Sequence, residues 1–459
     1  MNTADFPIAS VIRQPDDMAP YLVDWRGQDQ GRARLVALPR SVQEVVQVVD
    51  WCRERRVPIV PQGGNTSLVG GSVPDASGAS VVLSLRKLAA IRSIDADNNL
   101  VVAEAGAILQ TVQAAAQAVN RMFPLSLAAE GSCTIGGNLS TNAGGTAVLQ
   151  YGNARELCLG LEVVTPDGQV LSDLKGLRKD NTGLNLRNLF IGAEGTLGII
   201  TAAALRLFPR PVAQVTSFAA LADAGQAVAL LGMAHEMLGS GLTAFELMSR
   251  SCVEAVHARF ADVSRVFEAT PAYQLLVELS DQESETHANE RLLALMERAL
   301  DAGVIEDAAI AASLAQSRAF WTLRERVAEA QKSNFKHDIT LPVARIPRFL
   351  EDAQRSVLAR YPDSELIVVG HVGDGNLHFN VSPPPATDAS GAALAKRAIE
   401  EMVYALVDQH EGSISAEHGI GRHKVDSLRK HKAQPLLALM KSIKSTIDPH
   451  DIMNPGVIF

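Results

Sequence analysis

Two glycine-dense segments constrain this chain more than any other feature. Residues 61–71 read Pro-Gln-Gly-Gly-Asn-Thr-Ser-Leu-Val-Gly-Gly, with four glycines between Gly63 and Gly71. Residues 129–146 are dominated by Gly, Ser, Asn and Thr, and Gly192, Gly195 and Gly198 recur at every third position further on. Backbone N–H groups can ring an anion such as a pyrophosphate only where no Cβ obstructs them. One such loop alone is as well read as a turn. Three in one half of a chain predict a surface that a ligand approaches closely. No G-x-G-x-x-G sits between a strand and a helix with an acid about 20 residues on, and no G-x-x-x-x-G-K-[ST] occurs, so the usual nucleotide fingerprints are missing.

Around these loops the pattern is strand and helix. Residues 36–38 and 58–60 read as strands on either side of a helix opened by Ser41. Its apolar stripe is Val42, Val45, Val46, Val49 and Cys52. Pro166-Asp167-Gly168 between apolar runs signals a hairpin. The composition shifts near Pro209-Arg210-Pro211. Beyond it, strands at 242–248, 273–279, 338–343 and 366–372 alternate with helices near 285–302, 312–333, 345–359 and 392–409. The expected class is α+β, the second part carrying a mostly antiparallel sheet.

Composition narrows the function. At 459 residues, 47% hydrophobic, the chain has material for two or three cores. Acidic residues outnumber Lys plus Arg by 51 to 42, a formal net charge of −9, without a dense basic block. A nucleic-acid binder needs a basic footprint, so that class is not expected. The four cysteines, Cys52, Cys133, Cys158 and Cys252, lie far apart. A disulfide framework or cysteine metal site is therefore not expected, and a reducing cytoplasm fits. The first residues lack a basic segment followed by an apolar core, so no signal peptide is expected. No run of about 18 apolar residues predicts a membrane span, which leaves peripheral attachment to a membrane open.

The sharpest local signal is Gly370-His371-Val372-Gly373-Asp374-Gly375-Asn376-Leu377-His378-Phe379-Asn380. Asp374-Gly375 between apolar runs predicts a two-residue type I′ hairpin. That register sets His371 directly across from His378, with Cβ atoms about 5 Å apart and Asn380 on the same face. Two cofacial imidazoles can share a divalent ion, although a surface hairpin with incidental histidines is the plainer alternative. Glu417 and His418 stand between small residues in Ser413–Gly421. Taken alone, Glu417 reads as a solvated charge.

The motifs Pro61–Ser67, Gly136–Gly145, Gly192–Gly198 and the closing Asn454-Pro455-Gly456 resemble those of the vanillyl-alcohol-oxidase/p-cresol-methylhydroxylase flavoproteins. The resemblance runs nearly the whole chain in order, and within that family it is to the FAD-linked D-2-hydroxy-acid dehydrogenases. It implies a two-part FAD-binding domain (PCMH type) at 1–211 and an α+β substrate or cap domain with a metal site at 212–420. Residues 421–459 would form a C-terminal segment returning to the FAD domain. FAD would be held by Pro61, Gln62, Gly63, Gly64, Asn65, Thr66 and Ser67, and by Glu130, Gly131, Ser132, Thr134, Gly136, Gly137, Asn138, Ser140, Asn142, Gly144 and Gly145. Glu194, Gly195, Gly198, Ile199, Ile200 and Asn454 would complete its site. No histidine follows Gly63-Gly64, so the flavin is expected to be non-covalent.

The same resemblance assigns His371, His378 and Glu417 to a metal, with zinc or another divalent transition metal expected. It assigns His418 to substrate, and an imidazole suits the general base. Arg324, in Trp321–Arg326, and Lys336, in Lys336–Pro342, match segments where an Arg and a Lys grip a substrate carboxylate, with Asn380 a further substrate residue. The plainer reading of Arg324 is a solvated helix charge, and of Lys336 an edge lysine. Where the family often shows Thr, this chain has Ala328. The implied reaction is oxidation of a D-2-hydroxy acid to the 2-oxo acid, with hydride passing from Cα to flavin N5. D-2-hydroxyglutarate is favoured, with D-malate or D-lactate as competitors. The electron acceptor would be electron-transfer flavoprotein or a quinone. A zinc hydrolase and a flavin-binding subunit of a glycolate-oxidase-like complex are the rival readings. The oligomeric state stays open, a homodimer among the options.

Overall fold

The computed structural model describes residues 5–384 and 388–459. It contains two compact units. The first comprises the described residues up to Gly145, Tyr151–Arg210 and Glu417–Phe459. The second comprises Thr146–Gln150 and Pro211–Ala416.

The first unit is built on two sheets. In one, the strands Leu35–Ala37, Val81–Ser84 and Ile59–Gln62 run parallel, and Val11–Ile12 adds an antiparallel edge. Parallel neighbours need a crossover, supplied by the helix Val42–Arg55. The Ser41 hydroxyl caps it by accepting the Glu44 N–H. Its buried face is Val45, Val48, Val49, Trp51 and Cys52, with Val42 and Val46 only half-buried. The stripe is thus rotated from the one read in sequence. Phe6 packs edge-on against Trp51 at 5.0 Å, a partner from outside the helix that periodicity cannot reveal.

The other sheet is antiparallel, in the order Ile91–Asp95, Leu100–Glu104, Ile199–Arg206, Cys158–Val164, Val170–Asp173. The C-terminus closes this unit. Met453 bridges Ile59, and the Ile59 carbonyl accepts the Asn454 N–H at 2.8 Å. The ammonium of Lys444 is buried, which is tolerable only because it is fully paired. It donates to the carbonyls of Thr196 (3.0 Å) and Met453 (2.9 Å) and to Asp448.

The second unit carries one seven-stranded antiparallel sheet. Its order is Asp307–Ile310, Ala213–Leu221, Tyr273–Asp281, Leu242–Ser249, Leu366–His371, Asn376–Val381, Phe335–Thr340. Side chains alternate between its faces. One face, with Leu247, Leu275, Val277 and Phe379, packs against the helices Ala224–Leu238, Glu285–Asp301, Ile346–Arg360 and Ala389–Gln409. The other, with Phe218, Met248, Leu276 and Val369, is covered by Arg250–Arg259 and Leu314–Ala330. The strand expected at 338–343 instead spans Phe335–Thr340. Pro342 has no N–H to give a ladder, and the chain turns at Val343–Arg345. Lys336 is therefore inside the strand.

Candidate active site

In the first unit, the loop after the strand Ile59–Gln62 opens onto a cleft of about 260 Å³. Arg86 donates to the carbonyls of Gly63 (3.2 Å) and Gly64 (2.8 Å). In a trans peptide the N–H opposes the C=O, so the N–H groups of Gly64 and Asn65 point away from Arg86. The glycines are sterically required. A Cβ on Gly64 would stand 2.1 Å from the Ser132 carbonyl oxygen, and one on Gly63 would stand 2.3 Å from the Thr134 hydroxyl. The side-chain amides of Gln62 and Asn65 work as pins. Gln62 donates to the carbonyls of Tyr21 and Ser72, and Asn65, at φ 56°, donates to that of Val23 at 2.8 Å.

The cleft is lined by all seven residues 61–67, and by Thr134, Gly136, Gly137, Asn138, Ser140, Gly144, Glu194, Gly195, Gly198, Ile199 and Ile200. Glu417 and His418 line it as well. Leu127, Ala128, Ala129 and Leu85 add apolar wall that no motif announced. The remaining expected cofactor residues lie outside the lining. Glu130 takes the Ser126 hydroxyl at 2.7 Å, Asn142 takes the Arg155 N–H at 3.0 Å, and Gly131 and Ser132 form the turn beside Gly64. Gly145 donates its N–H to Glu417 Oε2 at 3.1 Å. Asn454 donates to the carbonyls of Gly71 (2.9 Å) and Glu194 (2.8 Å).

Two polar groups in this wall stand out. The buried Thr134 hydroxyl has no hydrogen-bond partner among the described residues. Glu194 is buried, and burial pushes its carboxyl up to about 7. The N–H groups of Ile420 (2.7 Å) and Gly421 (2.8 Å) and the Lys424 charge oppose that rise. An orphaned hydroxyl in a glycine wall, with a pinned loop whose N–H groups turn from Arg86, fits a phosphate-bearing cofactor such as FAD.

In the second unit, the histidine hairpin has a longer turn than the sequence suggested. Residues 372–375 connect its strands, with a 3₁₀ turn at Val372–Asp374 and Gly375 at φ +88°. A Cβ on Gly375 would stand 2.2 Å from the Leu341 carbonyl oxygen. His378 consequently pairs with Val369 rather than His371. The two imidazoles still share a face, because Val369 and His371 are two residues apart. They meet diagonally, ring centroids 5.7 Å apart and planes at 79°.

Three more residues of this face, Glu246, Asp338 and Lys336, come from neighbouring strands. Glu246 pairs with His371, Asp338 with His378 and Lys336 with Asn380. Asp338 Oδ1 lies 3.7 Å from His378 Nδ1 and accepts the Asn376 amide at 3.0 Å. Its Oδ2 accepts the Ala416 N–H at 3.2 Å. Asn380 donates to Gln331 at 2.6 Å, and its Oδ1 is buried without a partner among the described residues. Arg324, on the helix Leu314–Ala330, binds Glu246 through Nε at 2.8 Å. It is thus no solvated helix charge. Asp338 and Glu246 were not singled out from sequence. The signal for Glu246 was there, as the lone acid in the apolar strand Leu242–Ser249.

Residues 33–173 match the FAD binding domain family, and 210–458 match the C-terminal domain of FAD linked oxidases. The Arabidopsis thaliana mitochondrial D-2-hydroxyglutarate dehydrogenase is 38% identical over 97% of this chain and 78% of its own length. That of Xanthomonas citri pv. viticola is 36% identical over 99% and 95%. Among solved structures, p-cresol methylhydroxylase has the same fold, with a TM-score of 0.76 at 16% identity over 97% of this chain and 93% of its own. The chain belongs to the FAD-linked oxidase family of flavoproteins. Within it, the protein is an FAD-linked D-2-hydroxy-acid dehydrogenase.

Proposed function

We propose that this enzyme oxidises D-2-hydroxyglutarate to its 2-oxo acid. The observation that carries the reading is the company the paired histidines keep. Lys336 shares their sheet face, and Arg324 is tied to that face through Glu246. Two cations beside a metal-binding pair of imidazoles suit a hydroxy acid with a second carboxylate. The relatives named D-2-hydroxyglutarate dehydrogenase support the same substrate.

Bound FAD, non-covalent here, supplies a hydride acceptor at N5. A divalent transition metal, zinc in this reading, supplies Lewis acidity to the substrate hydroxyl. The chain's residues do the rest. His371, His378 and Glu417 provide two imidazoles and a carboxylate to hold the metal. Support for Glu417 comes from its neighbour, since Ala416 is bonded to Asp338, the strand partner of His378. Arg324 and Lys336 hold the distal carboxylate, and Asn380 presents an amide. His418 takes the hydroxyl proton, with Glu417 Oε1 3.6 Å from its Nε2. The glycine loops and Thr134 hold FAD, and the reduced enzyme passes electrons to electron-transfer flavoprotein or a quinone. Among the described residues no helix is long and apolar enough to cross a membrane. All four cysteines are buried and unpaired, which suits a reducing cytoplasm.

The test is kcat/KM for D-2-hydroxyglutarate, D-malate and D-lactate in wild type and in Lys336→Ala. The diacids should lead by about tenfold or more, the equivalent of one charge-assisted bond. The substitution should shrink that lead and leave D-lactate turnover nearly unchanged. A wild type that prefers D-lactate overturns the substrate and leaves the flavin assignment standing.

A further inference from the structure

We infer that Glu246 is a positioning residue that orients the metal-side imidazole of His371 and the substrate-side guanidinium of Arg324 together. The inference rests on the metal reading of His371 above.

Glu246 lies mid-strand in Leu242–Ser249, between the strands Tyr273–Asp281 and Leu366–His371. Its side chain is 0% exposed. Met248, Leu276 and Val369 pack around it. A carboxylate in such a place costs several kcal/mol unless both oxygens are paired. Both are paired: Oε1 meets His371 Nδ1, and Oε2 accepts from Arg324 Nε at 2.8 Å.

With Oε2 accepting from the Arg324 guanidinium, Oε1 of the same carboxylate accepts from His371, so Nδ1 carries the proton in this pairing. In the neutral imidazole the lone pair then sits on Nε2, the atom a metal takes. A carboxylate behind a ligating histidine fixes its tautomer and ring plane and raises its basicity. The same carboxylate holds Arg324 by Nε alone. Its Nη1 and Nη2 have no protein partner among the described residues. The planar fork is therefore aimed, with its outer edge kept for a carboxylate.

Glutamine at this position can accept from only one neighbour and must donate to the other. If its carbonyl keeps Arg324, its amide faces Nδ1 and drives the proton to Nε2. If the carbonyl keeps His371, the amide opposes Arg324. The test compares the flavin-loaded full chain of wild type, Glu246→Gln and Arg324→Lys. Zinc affinity is read by chelator competition, KM and kcat are read for D-2-hydroxyglutarate and D-lactate, and flavin absorbance reports folding. Glu246→Gln should weaken zinc binding by about 10–100-fold and raise KM for the diacid more than for D-lactate, with the flavin retained. Arg324→Lys should raise the diacid KM and leave zinc affinity unchanged. Zinc uptake by wild type that Glu246→Gln leaves untouched overturns the inference and spares the metal reading. A fall in thermal stability with neither zinc affinity nor KM altered also overturns it. No zinc uptake by wild type overturns the metal reading beneath it.

Discussion

The side-chain amide of Asn454 donates to the main-chain carbonyl of Glu194 at 2.8 Å, across 260 residues of sequence. The same amide donates to the Gly71 carbonyl, so one buried side chain near the C-terminus ties two of the glycine loops together. Asn454 itself is in the left-handed region at φ 43°, which Asn tolerates better than most residues.

Asn454→Ala should therefore be costly. It strips partners from two carbonyls, at about 1–3 kcal/mol for each that is left buried and unpaired. It also places Cβ-branch-free but left-handed alanine in a strained conformation, at about 1 kcal/mol. Urea unfolding should show a loss of about 3 kcal/mol or more, and flavin should dissociate more readily on dialysis. A stability within 0.5 kcal/mol of wild type, roughly the spread of inert surface substitutions, would contradict the tethering role.

Gly64→Ala should yield a colourless protein. The added methyl would stand 2.1 Å from a main-chain oxygen that cannot swing away. Gly27→Ala is the control, since nothing lies within 4 Å of its Cβ position and only the strain of φ +69° is incurred. It should keep its flavin, with a stability loss of about 1 kcal/mol. Absorbance of the purified variants near the flavin bands decides the matter.

Glu194 predicts a stability profile with a definite sign. Its carboxyl titrates near 7 in the fold and near its ordinary 4.5 when unfolded. Between those values the unfolded chain binds fewer protons than the folded one, so stability falls as pH rises. The contribution is complete below about pH 4.5, is lost through about pH 7 and is flat above. Its full size is about 3 kcal/mol. Thermal unfolding of the flavin-free protein across this window should show the decline in wild type and a shallower one in Glu194→Gln. Parallel profiles would rule out the buried carboxyl as its source.

Metal removal should separate the two halves of the chemistry. The histidines belong to the second unit and the glycine cleft to the first. Exhaustive chelation, or His378→Ala, should abolish turnover and leave the flavin spectrum nearly intact. Normal turnover by protein shown to be metal-free would count against a metal in the reaction. Trichloroacetic acid should release the flavin into solution, and colour kept in the washed pellet would reveal a covalent link. Electrons should not reach oxygen efficiently, so rapid hydrogen peroxide formation in air would argue against a protein or quinone acceptor.

The sequence by itself determined the elements whose cause is local. Glycines at 63 and 64 announce close approach, because any Cβ there meets main-chain oxygen or a hydroxyl. Ser41 marks a helix start by capping it, and apolar runs mark strands of the second unit, whose sheet is buried on both faces. The histidines were visible as a pair, and their shared face survives because strand side chains alternate with period two. What the tertiary structure alone decided is everything that depends on partners far along the chain. The hairpin turn took four residues instead of two because Gly375 closes against Leu341, shifting His378 opposite Val369. Arg86 holds the carbonyls of the first glycine loop from 22 residues away. Glu246 acquires its meaning from His371, 125 residues later, and Arg324, 78 residues later. No pattern within a window reports such a carboxylate, since a buried charge is made tolerable only by the neighbours that folding brings to it.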